Sequence, residues 1–129
     1  MRSTAIALAS IAAIASGCGD EPATAERVTG EFFAALQEGD ADAACDALSG
    51  ATRAALERNE RSPCPEALAS LQLTGGEVTR AQVYVTQARV SLSNGQFVFL
   101  GRTPEGWKLD AAGCRPAGEN QPFDCELES

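Results

Sequence analysis

The hydrophobic pattern of this chain changes its period at Gly75-Gly76, and this change constrains the fold more than any other feature. Before these glycines, apolar residues recur at intervals of three and four, which is the spacing of one face of an α-helix. After them, apolar and polar residues alternate, which is typical of β-strands. Helices followed by an antiparallel set of strands predict an α+β domain, with the helices packed on one face of a curved sheet.

Glycines, prolines and capping residues divide the first half into four predicted helices. Gly39 ends the first helix, and Asp40 can cap the second. Ser49-Gly50 separates the second helix from the third, and proline suits the first turn of the fourth. The predicted helices are residues 24–38, 41–48, 51–59 and a segment opened by Ser62-Pro63-Cys64-Pro65.

The second half predicts about four strands. Asn94-Gly95 is a strong signal for a type I′ hairpin turn between the second and third strands. The third strand reads Q-F-V-F-L and is apolar on both faces, so we expect it to be central and covered on both sides. The tail from Cys114 is expected to be a loop, and residues 123–127 can add a short final strand. The four main strands are predicted at residues 77–85, 88–92, 96–100 and 107–111.

Residues 1–17 have the three-part pattern of a signal peptide. Arg2 supplies the positive charge, Ala5 to Ala15 form an apolar run, and the small residues Ser16-Gly17 precede Cys18. The run is too short for a spanning helix, which needs about 20 apolar residues. Cleavage before Cys18 leaves a tether over residues 18–23 and one domain over residues 24–129. An alternative is a plain secretory signal cut after Ala15, which leaves Cys18 as an unpaired thiol.

Four further cysteines predict two disulfides, because an even number in a small exported domain is typical of a disulfide framework. Three pairings are possible, and we prefer Cys45–Cys64 with Cys114–Cys125 because each closes a short local loop. The alternative, a metal site of four thiolates, is disfavoured by the absence of a Cys-x-x-Cys pair and by the oxidising compartment.

The composition disfavours several classes of function. The chain has no histidine, which removes the usual general base, the Ser-His-Asp and Cys-His nucleophile systems and the commonest zinc ligand. Its 18 acidic and 10 basic residues give a net charge of −8, which disfavours binding to nucleic acid or to anionic lipid head groups. We therefore predict no catalytic residues, no metal and no cofactor.

Two resemblances add to these expectations. The segment Ala15-Ser16-Gly17-Cys18 resembles the bacterial lipobox, although Leu usually stands where this chain has Ala15. The resemblance implies acyl chains, such as palmitate, on Cys18, which would hold the domain on the outer face of the cell membrane. Two or three acyl chains hold a protein firmly, whereas one gives marginal binding.

The second resemblance concerns the domain. Val28-Thr29-Gly30-Glu31-Phe32-Phe33 followed by Gly39-Asp40 resembles the opening helix of NTF2-like (cystatin-like cone) domains. Residues 94–100 and then Gly106-Trp107-Lys108-Leu109 are similar to their closing strands. More narrowly, the mature chain resembles actinobacterial lipoproteins that carry four cysteines in comparable places.

This fold hosts enzymes, binding modules and scaffolds alike, so it does not select a function. We expect a non-catalytic binding or accessory module that contacts a protein partner or a small apolar ligand. One alternative is an enzyme with a carboxylate base in the cone, and another is a protein that dimerises through an exposed sheet face. Residues expected to line a pocket, unless they are ordinary core, are Phe33, Tyr84, Phe99 and Trp107.

Overall fold

Four helices precede five strands along the chain, in a computed structural model that describes residues 20–129. This is the α+β order expected from the change in period at Gly75-Gly76. The sheet has five strands where the sequence predicted about four. The elements are α1 (Glu21–Gln37), α2 (Ala41–Asp46), α3 (Gly50–Glu60), α4 (Cys64–Ser70), β1 (Val78–Tyr84), β2 (Gln87–Leu92), β3 (Phe97–Thr103), β4 (Gly106–Pro116) and β5 (Phe123–Glu128).

The first helix begins at Glu21, three residues before the position predicted from apolar spacing. Pro22 lies in its first turn, where the missing N–H of proline costs nothing. Three residues assigned to the tether, numbers 21–23, are therefore helical. Apolar periodicity does not detect such a first turn, because its side chains are exposed or only half-buried.

The junction between α1 and α2 is closed by local hydrogen bonds. Gly39 adopts a left-handed conformation with φ of 75°, and the amide of Asp40 donates to the carbonyl of Ala35 at 2.8 Å. This pattern is the Schellman motif, in which glycine is favoured because it lacks Cβ. The Asp40 side chain then accepts a hydrogen bond from the amide of Ala43 at 3.1 Å and caps α2, as predicted.

The junction between α2 and α3 is attached to the sheet. The amide of Ser49 donates to the carbonyl of Leu109 at 2.9 Å, and the amide of Leu109 donates to the carbonyl of Ala47 at 2.9 Å. The buried hydroxyl of Thr52 adds a 2.8 Å bond to the carbonyl of Asp110. These bonds satisfy polar groups that burial would otherwise leave unpaired, and they fix the helices against β4.

The sheet is an antiparallel meander in the order β1-β2-β3-β4-β5. Its last hairpin differs from the expected tail, because β4 continues to Pro116 and pairs with β5 from Ala111↔Glu128 to Pro116↔Phe123. The segment from Cys114 to Pro116 is therefore strand and not loop. Glycine and proline suggested a loop, but backbone pairing with β5 satisfies this segment's hydrogen bonds in the strand conformation.

The core lies between the helices and one face of the sheet. Its largest fully buried apolar side chains come from both layers and include Phe32 of α1, Leu68 of α4, Val98 and Leu100 of β3, and Leu109 of β4. The position of β3 in the middle of the sheet confirms the prediction that this strand is central. The prediction that both of its faces are covered is wrong. Its Phe97 and Phe99 point away from this core and are only half-buried.

Candidate functional site

Cys18 and the predicted signal peptide lie outside the described residues, so lipidation stays a prediction. The other four cysteines form the two local disulfides expected from the sequence, Cys45–Cys64 and Cys114–Cys125. The first joins α2 to the first residue of α4, and the second joins directly opposed residues of β4 and β5. Two disulfides indicate an oxidising, extracytoplasmic environment.

The four residues proposed to line a pocket are not brought together. Phe33 is buried in the helical layer, where its ring packs beside Gly75. Phe99 lies on the other face of the sheet, with its ring 5.1 Å from that of Phe123. Tyr84 ends the edge strand β1 and is 57% exposed, while Trp107 is buried at the start of β4. Strand alternation separates Phe99 from the core face, so these residues cannot share a pocket.

Glu21, Arg102 and Trp107 form a polar cluster, which we call the Glu21 cluster. The Glu21 carboxylate forms an ion pair with Arg102 and accepts a 2.7 Å hydrogen bond from the indole N–H of Trp107. The Arg102 guanidinium also lies over the Trp107 ring, 5.2 Å from its centroid, which is a cation–π distance. The cluster joins the start of α1 to β3 and β4.

The hydrogen bond from Arg102 holds the pKa of Glu21 below its ordinary value of 4.5, and the bond from Trp107 adds to this effect. Both bonds favour the charged carboxylate. Glu21 is therefore ionised at neutral pH and acts as an acceptor. A general base or acid in a small-molecule enzyme usually needs the opposite shift, toward neutral pH.

One end of the sheet gathers the start of α1, the β1–β2 turn and the β3–β4 turn, and we call it the α1-start end. Arg102 connects these parts, because its side chain pairs with Glu21 while its amide donates to the carbonyl of Thr86 at 2.8 Å. The β2–β3 and β4–β5 turns lie at the opposite end, as the antiparallel meander requires.

Two open grooves border the Glu21 cluster. One, of about 290 Å³, lies between the start of α1 and the β3–β4 turn, and the other, of about 380 Å³, runs between α1, α2 and the same turn. Charged side chains contribute to both linings. Glu21 and Arg102 line the first groove, and Arg27, Glu31 and Lys108 line the second. The described linings contain no histidine and no free thiol, and their carboxylates are exposed or partly exposed.

The opposite face of the sheet carries an aromatic cluster. The ring of Phe123 lies 5.3 Å from that of Phe97 and 5.1 Å from that of Phe99, and both contacts are edge-to-face. The Arg89 guanidinium lies 5.4 Å from the centroid of Phe97. These rings are half-buried, so this face of the sheet is partly apolar.

Residues 20–129 contain no group of three or more potential metal ligands and no helix with the length and apolar character needed to cross a membrane. Comparisons with protein-family models, with curated proteins and with solved structures find no match to this chain.

Sequence reasoning missed the Glu21 cluster. Glu21 and Trp107 are separated by 86 positions, and an acidic residue near the start of a helix is an ordinary feature. The exposure of Tyr84 and Val85 was also missed. The sequence gives a weak indication of it, because these two large apolar residues stand at a turn that contains no Gly, Asn or Asp.

Proposed function

We propose that this chain is an exported lipoprotein, held on the outer face of a membrane by acyl chains on Cys18, whose folded domain is a non-catalytic binding or accessory module. The observation that carries the proposal is the cysteine arrangement. Four cysteines pair within the domain, and the fifth follows a short apolar run and small residues in a lipobox-like sequence. Lipidation gives this fifth cysteine a role in an oxidising compartment.

The position of the first helix supports the anchor. Cys18 precedes the first residue of α1 by three positions, a separation that an extended chain spans in at most about 11 Å. Lipid on Cys18 would therefore hold the α1-start end close to the membrane. The opposite end of the sheet would face away from it.

The acidic residues support a binding role in place of a carboxylate-based enzyme. All 18 lie within the described residues, and each is exposed or partly exposed. The pKa of Glu21 is lowered, whereas a catalytic acid in a pocket typically has a raised one. A module that acts through surface contacts needs no buried ionisable group.

The proposed relation to NTF2-like domains is supported by helices packed on one face of an antiparallel meander. Register shifts between β3 and β4 add to this support, because such irregularities bend a sheet.

The anchor is tested by expressing the full chain in a bacterium that lipidates exported proteins, and by comparing it with Cys18→Ala. We expect the wild type in the membrane fraction, labelled by a palmitate analogue, and Cys18→Ala in soluble form without label. The double variant Cys114→Ala/Cys125→Ala is the matched control, since it removes two cysteines and should keep the label. Equal solubility and equal labelling of wild type and Cys18→Ala would contradict the proposal.

A second candidate function is self-association through the open sheet face. The half-buried cluster of Phe97, Phe99 and Phe123 favours it, because a second copy that covered these rings would bury apolar surface. Sedimentation of the detergent-solubilised protein tests it, with Phe99→Lys expected to shift a dimer to monomer. Thr79→Lys, at an exposed position of the edge strand β1, is the control. A monomer at all concentrations would end this hypothesis.

A further inference from the structure

The tip of the β1–β2 hairpin carries two exposed large hydrophobic residues. Tyr84 is 57% exposed and Val85 is 87% exposed, and they are the large hydrophobic residues left exposed among residues 20–129. A buried valine needs no explanation beyond packing, but an exposed one at a turn gains nothing from the core.

The backbone of Val85 makes its presence harder to explain by folding alone. Its φ is 55°, in the left-handed region that glycine and asparagine tolerate and that β-branched residues disfavour. Most turns that need a positive φ therefore use Gly, Asn or Asp. Neither packing nor backbone preference favours valine here, and such strained positions often belong to functional sites.

The hairpin tip lies at the α1-start end. Thr86 follows Val85 in the turn, and its carbonyl accepts the 2.8 Å bond from the amide of Arg102. The Arg102 side chain pairs with Glu21, three positions after Cys18. One arginine thus connects the exposed tip to the first residue of α1, three positions after the proposed point of lipid attachment.

We propose that Tyr84 and Val85 dip into the interfacial layer of the membrane in which the acyl chains of Cys18 reside, so that the domain rests on the bilayer in a fixed orientation. This inference rests on the proposed lipid anchor. Tyrosine suits the interface because its ring is apolar while its hydroxyl stays hydrated. Valine removes its exposed methyl groups from water in the same layer.

The contact is apolar and does not depend on lipid charge. The chain has a net charge of −8, and at the hairpin end Arg102 is already paired with Glu21. Anionic head groups therefore give this domain no attraction of the kind that basic segments receive. Vesicles of neutral phosphatidylcholine are the suitable probe.

Tyr84 is the single tyrosine of the chain, so a tyrosine-specific reagent reports on the hairpin tip alone. The full-length lipidated protein, reconstituted into phosphatidylcholine vesicles, is treated with water-soluble N-acetylimidazole, and acetylation of Tyr84 is measured by mass spectrometry. We expect strong protection relative to Cys18→Ala mixed with the same vesicles. In Glu119→Tyr, the tyrosine introduced in the β4–β5 turn at the opposite end should stay reactive.

Val85→Asn separates insertion from mere proximity. Asparagine tolerates positive φ, so the variant should unfold at the same or a higher temperature, and it should return Tyr84 reactivity toward that of Cys18→Ala. Equal protection of Tyr84 in Val85→Asn and wild type would overturn the inference, because shielding would then need no apolar contact.

Mass spectrometry of the amino-terminal peptide distinguishes failure of the inference from failure of the anchor. An acylated Cys18 with a fully reactive Tyr84 overturns the hairpin contact and leaves the lipoprotein proposal intact. An absence of acylation overturns the anchor and the hairpin contact with it. Acylation, protection of Tyr84 and its loss in Val85→Asn together support the inference.

Discussion

The indole N–H of Trp107 donates a 2.7 Å hydrogen bond to the carboxylate of Glu21, across 86 positions of the chain. This bond and the ion pair with Arg102 hold the first turn of α1 against the β3–β4 hairpin. The start of the domain, which directly follows the proposed lipid attachment site, is therefore fixed to the sheet.

Glu21→Gln is expected to destabilise the domain at neutral pH and to matter less in acid. The folded-state pKa of Glu21 lies below its ordinary value of 4.5, so the carboxylate stabilises the fold above that pH. Its contribution disappears as the pH falls from 4.5 through the lower folded-state pKa. Urea unfolding at several pH values measures the difference between the two proteins, which should shrink below 4.5. Glu119→Gln, in the exposed β4–β5 turn, serves as control, and a difference that grows in acid would refute the assignment.

Gly75→Ala is expected to destabilise the domain by about 1–3 kcal/mol, as overpacking usually does. A Cβ at this position would lie 2.6 Å from the Phe33 ring. Gly30 in α1 is the matched control, because a Cβ there meets no atom within 4 Å and Ala favours a helix by about 1 kcal/mol. Denaturant unfolding should thus give changes of opposite sign for the two substitutions. A neutral Gly75→Ala would show that Phe33 moves aside freely.

Cys45→Ala/Cys64→Ala is expected to lower the free energy of unfolding by about 2–4 kcal/mol. Cys45 and Cys64 are 19 positions apart, whereas Cys114 and Cys125 are 11 positions apart. Loop entropy then makes the first disulfide about 0.5 kcal/mol more stabilising than the second. Urea unfolding of the two double-alanine variants compares them directly. A larger loss for the β4–β5 pair would mean that strand pairing, and not loop closure, dominates.

Asp40→Ala is expected to lower the free energy of unfolding by about 1 kcal/mol. The substitution removes the side-chain oxygen that accepts a hydrogen bond from the amide of Ala43 and caps α2. Asp40→Asn keeps an oxygen acceptor and should retain most of the stability. Thermal unfolding monitored by circular dichroism distinguishes the two variants. Equal losses for both would indicate that the charge of Asp40, and not the cap, stabilises this end.

Local signals in the sequence were sufficient to predict most elements of the fold. Gly39-Asp40 contains both the residue that ends α1 and the residue that caps α2, and their hydrogen bonds lie within five positions. Asn94-Gly95 likewise marks the position of the β2–β3 turn, where Gly95 has a φ of 82°. The predicted type I′ geometry is wrong, because Asn94 does not share the positive φ and four residues separate β2 from β3. Such features depend on the conformational preferences of a few adjacent residues, so they can be recognised without a structure.

The Glu21 cluster and the proposed pocket were less predictable, because their residues are distant in sequence and only the tertiary fold decides whether they are in contact. Phe99 and Trp107 were grouped as pocket lining by residue type, but they lie on opposite faces of the sheet. Alternation within one strand does not show which face the helices cover. Glu21 and Arg102 gave no sign of their pairing, since charged residues at such positions are common on any surface.

The sequence by itself determined the order of helices and strands, a preference for the local disulfide pairing and the expectation of a lipid anchor at Cys18, because each follows from short-range patterns. Tertiary structure alone decided that β4 extends to pair with β5 and that Glu21 contacts Trp107. It also decided that Tyr84 and Val85 are exposed at the same end of the sheet as the start of α1. The physical reason is that these contacts depend on which sheet face is buried and on how the strands register. Both are set by the packing of the whole domain.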